Sequence, residues 1–434
     1  RLREHHTDVR TEIVAGITTF VTLSYIIFVQ PTVLSACGMD FGAVLVATCV
    51  AGALSTFAMG LYANYPVALA PGMGQNFFFA YTVVLGMGIS WEKALAAVFL
   101  SGVLFLLLSF FGFREKLIDG IPDSLKEAIA VGIGLFVAMI GFQWSGIIVG
   151  SSGTLVNLGS LHSPPVLLSV FGLAVTMVLV TLGVRGALLW GILATALAGL
   201  PFGLVHYHGV FGRVPSVAPT LLKLDIPGAF DLGLVSVIFV FFFLALFDSV
   251  GTLIGVSSQA GLLVDGKLPR AKQALAADAF GSVSGALLGT STVTAYVESA
   301  AGVAEGGRTG LANMVTGMLM LASLFLYPLS RMAGDGMKLD NGFQVYPVVA
   351  PALIVVGSMM LRNVRRIRWD DVTEAIPAFL TMTVMPFAFS ITEGIAFGFI
   401  SYAVLKSVSR RGREVHPLVY LFAALFVVRY AYLY

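Results

Sequence analysis

Residues 65–81 read YPVALAPGMGQNFFFAY, and residues 290–307 read TSTVTAYVESAAGVAEGG. Both lie in a chain that is otherwise a succession of long apolar runs, yet neither can be one unbroken helix. Pro66, Pro71, Gly72 and Gly74 interrupt the first, while Thr292, Val293, Thr294, Tyr296 and Val297 favour a strand at the start of the second. Each then turns helical. Non-helical backbone at membrane depth survives only inside protein or along a cavity that satisfies its N–H and C=O groups. Two such segments therefore predict a site built between helices.

The membrane setting follows from composition. Of 434 residues, 58% are hydrophobic and 11% charged, against about 25% charged in a soluble domain. Apolar runs of bilayer-spanning length, about 17 to 25 residues, recur from residue 12 onward and leave no segment for a soluble domain. The charged start, residues 1–10, leads into a long span at 12–36, which reads as a first helix and not as a cleaved signal peptide. Cys37 and Cys49 are the only cysteines, and they suggest neither a disulfide framework nor a zinc site. No cofactor or metal is expected, and a net charge of +2 gives no sign of nucleic acid binding.

Fourteen segments are expected, at 12–36, 42–62, 65–85, 92–112, 125–147, 165–183, 186–204, 232–256, 271–289, 292–306, 310–330, 346–361, 372–387 and 391–408. A last apolar stretch, 417–434, reads as a fifteenth span or, the preferred reading, as a helix lying at the interface. Cytoplasmic loops carry an excess of Lys and Arg, which places both termini in the cytoplasm of a multi-pass protein of the inner or plasma membrane. On that side fall Arg1, Arg3, Arg10, Arg114, Lys116, Lys126, Arg185, Lys267, Arg270, Lys272, Arg308, Arg362, Arg365, Arg366, Arg368, Lys406, Arg410, Arg411 and Arg413. Lys93, Arg213, Lys223, Arg331 and Lys338 fall on the other, with Arg429 in the tail.

The two broken segments are the third and the tenth, equivalent places in two sets of seven. An inverted repeat predicts that coincidence. The spans before them share a small-residue spacing, Gly52, Ser55 and Gly60 against Gly281, Ser284 and Gly289. With seven segments per repeat the second copy is upside down, so the two half-helix N-termini approach each other near the midplane.

Carboxylates within spans cost about 2.5 to 3.5 kcal/mol on insertion scales and are functional by default. Asp248 lies in FFFLALFDSVGTLIG, deep in the eighth segment, and Glu298 at the strand-to-helix junction of the tenth. Asp278, Glu305, Glu374 and Glu393 sit nearer segment ends or small-residue surfaces. The bland alternatives are a structural carboxylate for Asp248, a first-turn cap for Glu298 and a capping amide for Asn76. Phe77, Phe78, Phe79, Tyr25 and Phe28 are packing residues first, of which one or two line the site. Carboxylates accept hydrogen bonds from ring and exocyclic N–H groups, and aromatic faces stack on flat heterocycles. A nucleobase fits both. Low dielectric disfavours the charged form of an acid, so such a site also supplies a proton as coupling ion.

The stretches EIVAGITTFVTLSYIIFVQP (12–31), PGMGQNFFFAY (71–81), LFDSVGTLIGV (246–256), TSTVTAYVESAAGVAEGGRTGL (290–311) and IPAFLTMTVMPFAFSITEGIAFG (376–398) resemble the nucleobase/ascorbate transporter family, in its purine-permease branch, over nearly the whole chain. That resemblance implies an all-α membrane protein of two inverted seven-segment repeats with short β-strands in segments 3 and 10. It implies a core domain from 1–121 and 231–339, and a gate domain from 122–230 and 340–434. By motif position the substrate-contacting acids fall on Asp248 and Glu298, the third-segment amide on Asn76 and a further contact on Thr252. Thr252 departs from other branches, which use a different side chain there. The implied activity is proton-coupled import of adenine, guanine or hypoxanthine. Glu298 and the backbone around Val297 and Ser299 would hold the base edge, Asp248 would bind base or proton, and an aromatic from Phe77, Tyr25 and Phe28 would stack on the face. A homodimer through the gate domain is the implied assembly.

Three rivals remain. An anion transporter of the same fold would want a positive or neutral residue where Glu298 stands. A uracil or xanthine transporter is a second alternative, since among the purines one hydrogen bond of difference can decide the preference. A membrane enzyme using Asp248 and Glu298 as acid and base lacks a nucleophile, a metal cluster and a phosphate loop.

Overall fold

A computed structural model describes residues 7–111, 121–151, 153–230, 232–263, 268–339 and 343–433, together with Leu2 and Glu4. Of the basic residues used above for orientation, Arg1, Arg3, Arg114, Lys116 and Lys267 lie outside the described residues, as do Gly112 and Tyr434 at the ends of two expected apolar stretches.

The first half runs α1 (Val9–Leu23), α2 (Ile26–Ser35), α3 (Phe41–Ala58, continued as a π-helix Met59–Ala63), β1 (Leu69–Pro71), α4 (Met73–Phe77, continued as a π-helix Phe78–Gly86) and α5 (Trp91–Phe111). It continues through α6 (Asp123–Trp144), a hairpin of β2 (Ile148–Ser151) and β3 (Leu155–Leu158), α7 (Pro164–Thr181) and α8 (Ala187–Gly199). The second half runs α9 (Leu232–Gln259), α10 (Ala271–Leu288), β4 (Val293–Ala295), α11 (Ser299–Ala304), α12 (Gly310–Ala322) and α13 (Tyr327–Gly334). After the small pair β5 (Met337–Lys338) and β6 (Gln344–Val345) come α14 (Ala350–Met360), α15 (Val372–Phe387), α16 (Ile391–Val408) and α17 (Pro417–Leu433). Among the described residues eight helices are long and apolar enough to cross a membrane, and three shorter apolar helices accompany them.

Local chemistry explains why these helices tolerate their irregularities. Asp8 and Asp40 cap α1 and α3, accepting the N–H groups of Thr11 at 2.8 Å and Ala43 at 2.7 Å. Pro31 inside α2 cannot donate to the carbonyl four residues back. That carbonyl, on Ile27, instead accepts the Ser330 hydroxyl at 2.8 Å. Packing divides the helices into two groups: α3 lies against α10 and α12, α1 against α11 and α12, and α5 against α9 and α10, while α6 packs on α14 and α15, and α15 on α16. The repeated small residues serve the first group. A Cβ on Gly281 would come within 2.8 Å of the Ser55 hydroxyl oxygen, so α3 and α10 approach closely there.

Two features were not legible as sequence. Glu12 is fully buried, and its carboxylate accepts the N–H groups of Arg308 at 2.9 Å, Thr309 at 3.1 Å and Ala312 at 3.2 Å. It thereby satisfies the N-terminus of α12, whose first amides have no intrahelical partner. Glu12→Ala is expected to cost about 3 kcal/mol, the scale of buried hydrogen bonds to a charged group. A thermal melt of the purified protein unchanged to within a degree would show that α12 does not depend on this cap.

The second is α17, expected at the interface. It runs antiparallel along the length of α16. Tyr420 meets Ser407 at 2.9 Å, the Phe422 and Phe426 rings stand 5.7 and 6.4 Å from Phe399, and Arg429 bonds Glu393 at 2.8 Å. Phe422 also reaches Phe239 and Phe243 of α9, at 4.9 and 4.7 Å.

Candidate functional site

The two broken segments meet. β1 and β4 pair antiparallel with Leu69 opposite Ala295, Ala70 opposite Thr294 and Pro71 opposite Val293. The ladder is closed at each end by Gly72 N–H to Thr292 O and Tyr296 N–H to Ala68 O, both 2.9 Å. Two three-residue strands leave open edges, which in an apolar setting need partners. The helices preceding each strand supply them. Thr56 of α3 bonds Leu69 N–H at 2.9 Å and Leu69 O at 3.0 Å. Asp278 of α10 accepts Ala295 N–H at 3.0 Å, and Ser282 donates to Val293 O at 2.9 Å. Asn313 ties the approach to β1 by donating to Tyr65 O at 3.0 Å and Val67 O at 2.8 Å.

The acids flank this pair of strands. Glu298 immediately precedes α11, and its Oε1 accepts the Tyr25 hydroxyl at 2.8 Å while Thr22 donates to its carbonyl at 3.3 Å. Tyr25, from the junction of α1 and α2, is fully buried. Asp248 lies on an exposed face of α9, where Gly251 and Gly255 have empty space beside them. Gln75 of α4 reaches Asp248, with Nε2 at 3.5 Å from Oδ2. Its neighbour Ser249 points inward, donating to Asp278 at 2.6 Å and meeting Thr294 at 3.0 Å. One carboxylate in that tier is structural and the other open.

Asn76 is fully buried. Its Oδ1 accepts the Ser291 hydroxyl, which also receives Gln30 Nε2 at 3.4 Å, and its Nδ2 has no partner among the described residues. Ser299 is engaged on both polar groups, its hydroxyl accepting Ala68 N–H at 3.0 Å and its own N–H donating to Tyr296 O at 3.1 Å. Val297 is 62% exposed and Thr252 partly so. Phe28 and Phe77 are buried, and Phe77 packs on Tyr81 and Trp144 with ring centroids at 5.9 and 6.1 Å. Phe78 and Phe79 pack on Phe241.

Three contributors escaped sequence reasoning: Gln75, Asp278 and Tyr296, whose hydroxyl donates to Pro71 O at 2.6 Å. Gln75 stands next to Asn76 in the same motif, and Asp278 is a lone carboxylate among small residues. Both signals were present, but nothing in spacing said which faced the strands. Glu305, Glu374 and Glu393 lie elsewhere, paired with Arg185, Lys406 and Arg429 respectively. Among the described residues no cluster of His, Cys, Asp and Glu could hold a metal, and Cys37 and Cys49 are buried free thiols.

Comparison with known proteins agrees with this architecture. The transmembrane domain of a cyanobacterium bicarbonate transporter, BicA, superposes with a TM-score of 0.63 at 14% identity, covering 89% of this chain and 96% of that one. At that identity the likeness is of fold alone. Among sequence relatives, the adenine permease AdeP of Escherichia coli strain K12 is 46% identical over 434 residues, 100% of this chain and 95% of the relative. The guanine/hypoxanthine permease PbuG of Bacillus subtilis strain 168 is 46% identical over 439 residues, 98% of this chain and 97% of the relative. A putative permease, MJ0326, of Methanocaldococcus jannaschii is 52% identical over 99% of this chain and 97% of its own length. The model of the permease family matches residues 10–397. The chain belongs to this family, the nucleobase/ascorbate transporters, and is a multi-pass membrane permease and not an enzyme.

Proposed function

We propose that the chain imports purine nucleobases, adenine, guanine or hypoxanthine, in symport with protons. The carrying observation is the pairing of β1 with β4, which sets Glu298 beside one end of the ladder and, through Gln75, Asp248 beside the other. Names of relatives at 46% identity over nearly full length, an adenine permease and a guanine/hypoxanthine permease, support the substrate class.

In this proposal Glu298 accepts an N–H of the base and the backbone at Val297 completes the edge, whereas the Ser299 N–H, expected there too, is already taken by Tyr296 O. Asn76 offers its free Nδ2, Thr252 extends the open face of α9, and an aromatic from Tyr25, Phe28 or Phe77 covers the ring. Asp248, open to one side, takes and releases the proton. The chain forms fourteen segments in two inverted repeats, with β1 and β4 in the third and tenth. Core residues 1–121 and 231–339 move against gate residues 122–230 and 340–434 to alternate access, with the N-terminus and basic loops cytoplasmic. The antiparallel pairing of β1 with β4 supports the repeat, and the separate packing of α6, α14 and α15 supports the gate. The assembly is a homodimer joined through the gate half.

An anion transporter shares the fold, as the likeness to BicA supports, but two carboxylates beside the ladder repel an anion. The deciding experiment is uptake of labelled adenine and guanine in cells lacking their own purine permeases. Saturable uptake, competed by unlabelled purines more strongly than by uracil or xanthine and collapsed by a protonophore, is expected. Uptake of labelled sulfate or bicarbonate without purine would reverse the assignment.

A further inference from the structure

We propose that the cavity beside the first turn of α3 and the end of α6 is a second, peripheral site for a flat hydrogen-bonding heterocycle, separated from the central site by a door of Phe77, Tyr81 and Trp144. Its ligand class rests on the purine reading above.

The cavity holds about 560 Å³, within the usual range of small-molecule sites. It lies at the opposite end of the fold from the open face of α9. Phe41, which begins α3, lines it, whereas the other end of α3, at Ala63, is bonded by Arg270 from the loop that follows α9. Aromatic walls come from Tyr81, Trp144 and Tyr346, and amides from Gln143 and Gln344. Each amide offers both a donor and an acceptor, the complement of a base edge, and an aromatic wall adds stacking on a planar ring. The cation at the rim is not free for an anion: Arg331 Nε bonds Asp335 at 2.9 Å. Neutral and flat, not anionic, is the class these groups select.

The door is one residue from the central site. Phe77 follows Asn76 directly and packs on both Tyr81 and Trp144. Trp144, the last residue of α6, donates its indole N–H to the Tyr81 hydroxyl at 2.5 Å, and its ring stands 4.4 Å from Tyr346. That bond joins α6 to the helix that continues α4. The Tyr81 side lies in π-helical backbone, a geometry that recurs at functional sites. Passage from the cavity to Asn76 requires this hydrogen bond to break, and occupancy of the cavity does not.

The test uses the full chain in sealed vesicles, with Cys37→Ser, Cys49→Ser and a reporter at Leu85→Cys, which borders the cavity without being assigned a contact. An impermeant thiol reagent is applied from each side, with and without saturating guanine, in the Glu298→Gln background that disables the central site. Guanine is expected to slow labelling at least fivefold from one side only, and Gln344→Ala with Gln143→Ala is expected to abolish that protection. If guanine uptake by the chain with Glu298 intact is normal but no protection appears with Glu298→Gln, the peripheral site is overturned while the purine reading stands. Protection by sulfate equal to that by guanine overturns the ligand class. Absence of purine uptake altogether overturns the purine reading and this inference with it.

Discussion

Glu298→Gln is expected to cut purine uptake by two orders of magnitude while the protein remains folded, and Asp248→Asn to leave binding but remove the dependence of uptake on an imposed proton gradient. The amide keeps the size of Glu298 and an oxygen to accept the Tyr25 hydroxyl, now bonded at 2.8 Å, so the scaffold has little reason to yield. What disappears is a charged acceptor, and hydrogen bonds to charged groups are worth about 1.5 to 3 kcal/mol, roughly 10- to 150-fold in affinity. Asp248 is placed differently. It is met by the tip of Gln75, at 3.5 Å, and is exposed along α9, which suits a group that must exchange a proton with one side. The two variants should therefore differ in kind: a raised KM for Glu298→Gln, and a flattened response to an imposed pH gradient for Asp248→Asn. Initial rates in proteoliposomes, with melting curves as the folding control, separate them. Proton-driven uptake at normal rates in both variants would remove these acids from the mechanism.

The sequence showed where the chain breaks and not what holds the breaks together. Proline, glycine and β-branched residues in apolar runs announce non-helical backbone, because hydrogen-bonding rules act locally. Glu298 and Asn76 were visible for the same reason: polar groups at such breaks are few. The supports are tertiary. Thr56, Asp278 and Asn313 bond strands far from them in sequence, and no periodicity says which strand a side chain in a helix will face. Carboxylates near helix ends were the hardest to place. Glu12 looked like the polar first residue of a span, yet it completes the N-terminus of α12 some 300 positions away. Lys406 looked like a loop cation and is 1% exposed. Charge counting sees composition along the chain, whereas burial depends on which helix arrives opposite.

Lys406→Met is the substitution expected to destabilise the molecule most, by about 3–5 kcal/mol, the usual cost of removing one partner of a buried ion pair. Lys406 Nζ lies 2.9 Å from Glu374, 3.4 Å from Glu414 and 3.7 Å from Asp371, with the Tyr402 ring 5.4 Å away. Glu414 and Asp371 have a second cation, Arg411, at 2.9 and 2.7 Å. Glu374 has none. Buried in the first turn of α15, it would keep only the Tyr402 hydroxyl at 3.2 Å, and an unpaired buried carboxylate is the costly outcome. Lys406→Met combined with Glu374→Gln should therefore recover most of the loss, since it removes both charges. Acid probes the same corner from the other side. The Thr373 hydroxyl, then Arg411, hold the Asp371 carboxyl well below the ordinary carboxylate range. Its folded value is depressed, so its contribution is present above the unfolded value, about 3.9, and is lost as pH falls from there toward the folded value. Arg411→Met should raise the folded value, so that the loss still begins at the unfolded value but is smaller and complete at a higher pH. Melting temperatures between pH 8 and pH 3 test both statements, and a double variant no more stable than Lys406→Met alone would mean that Glu374 is not the group left stranded.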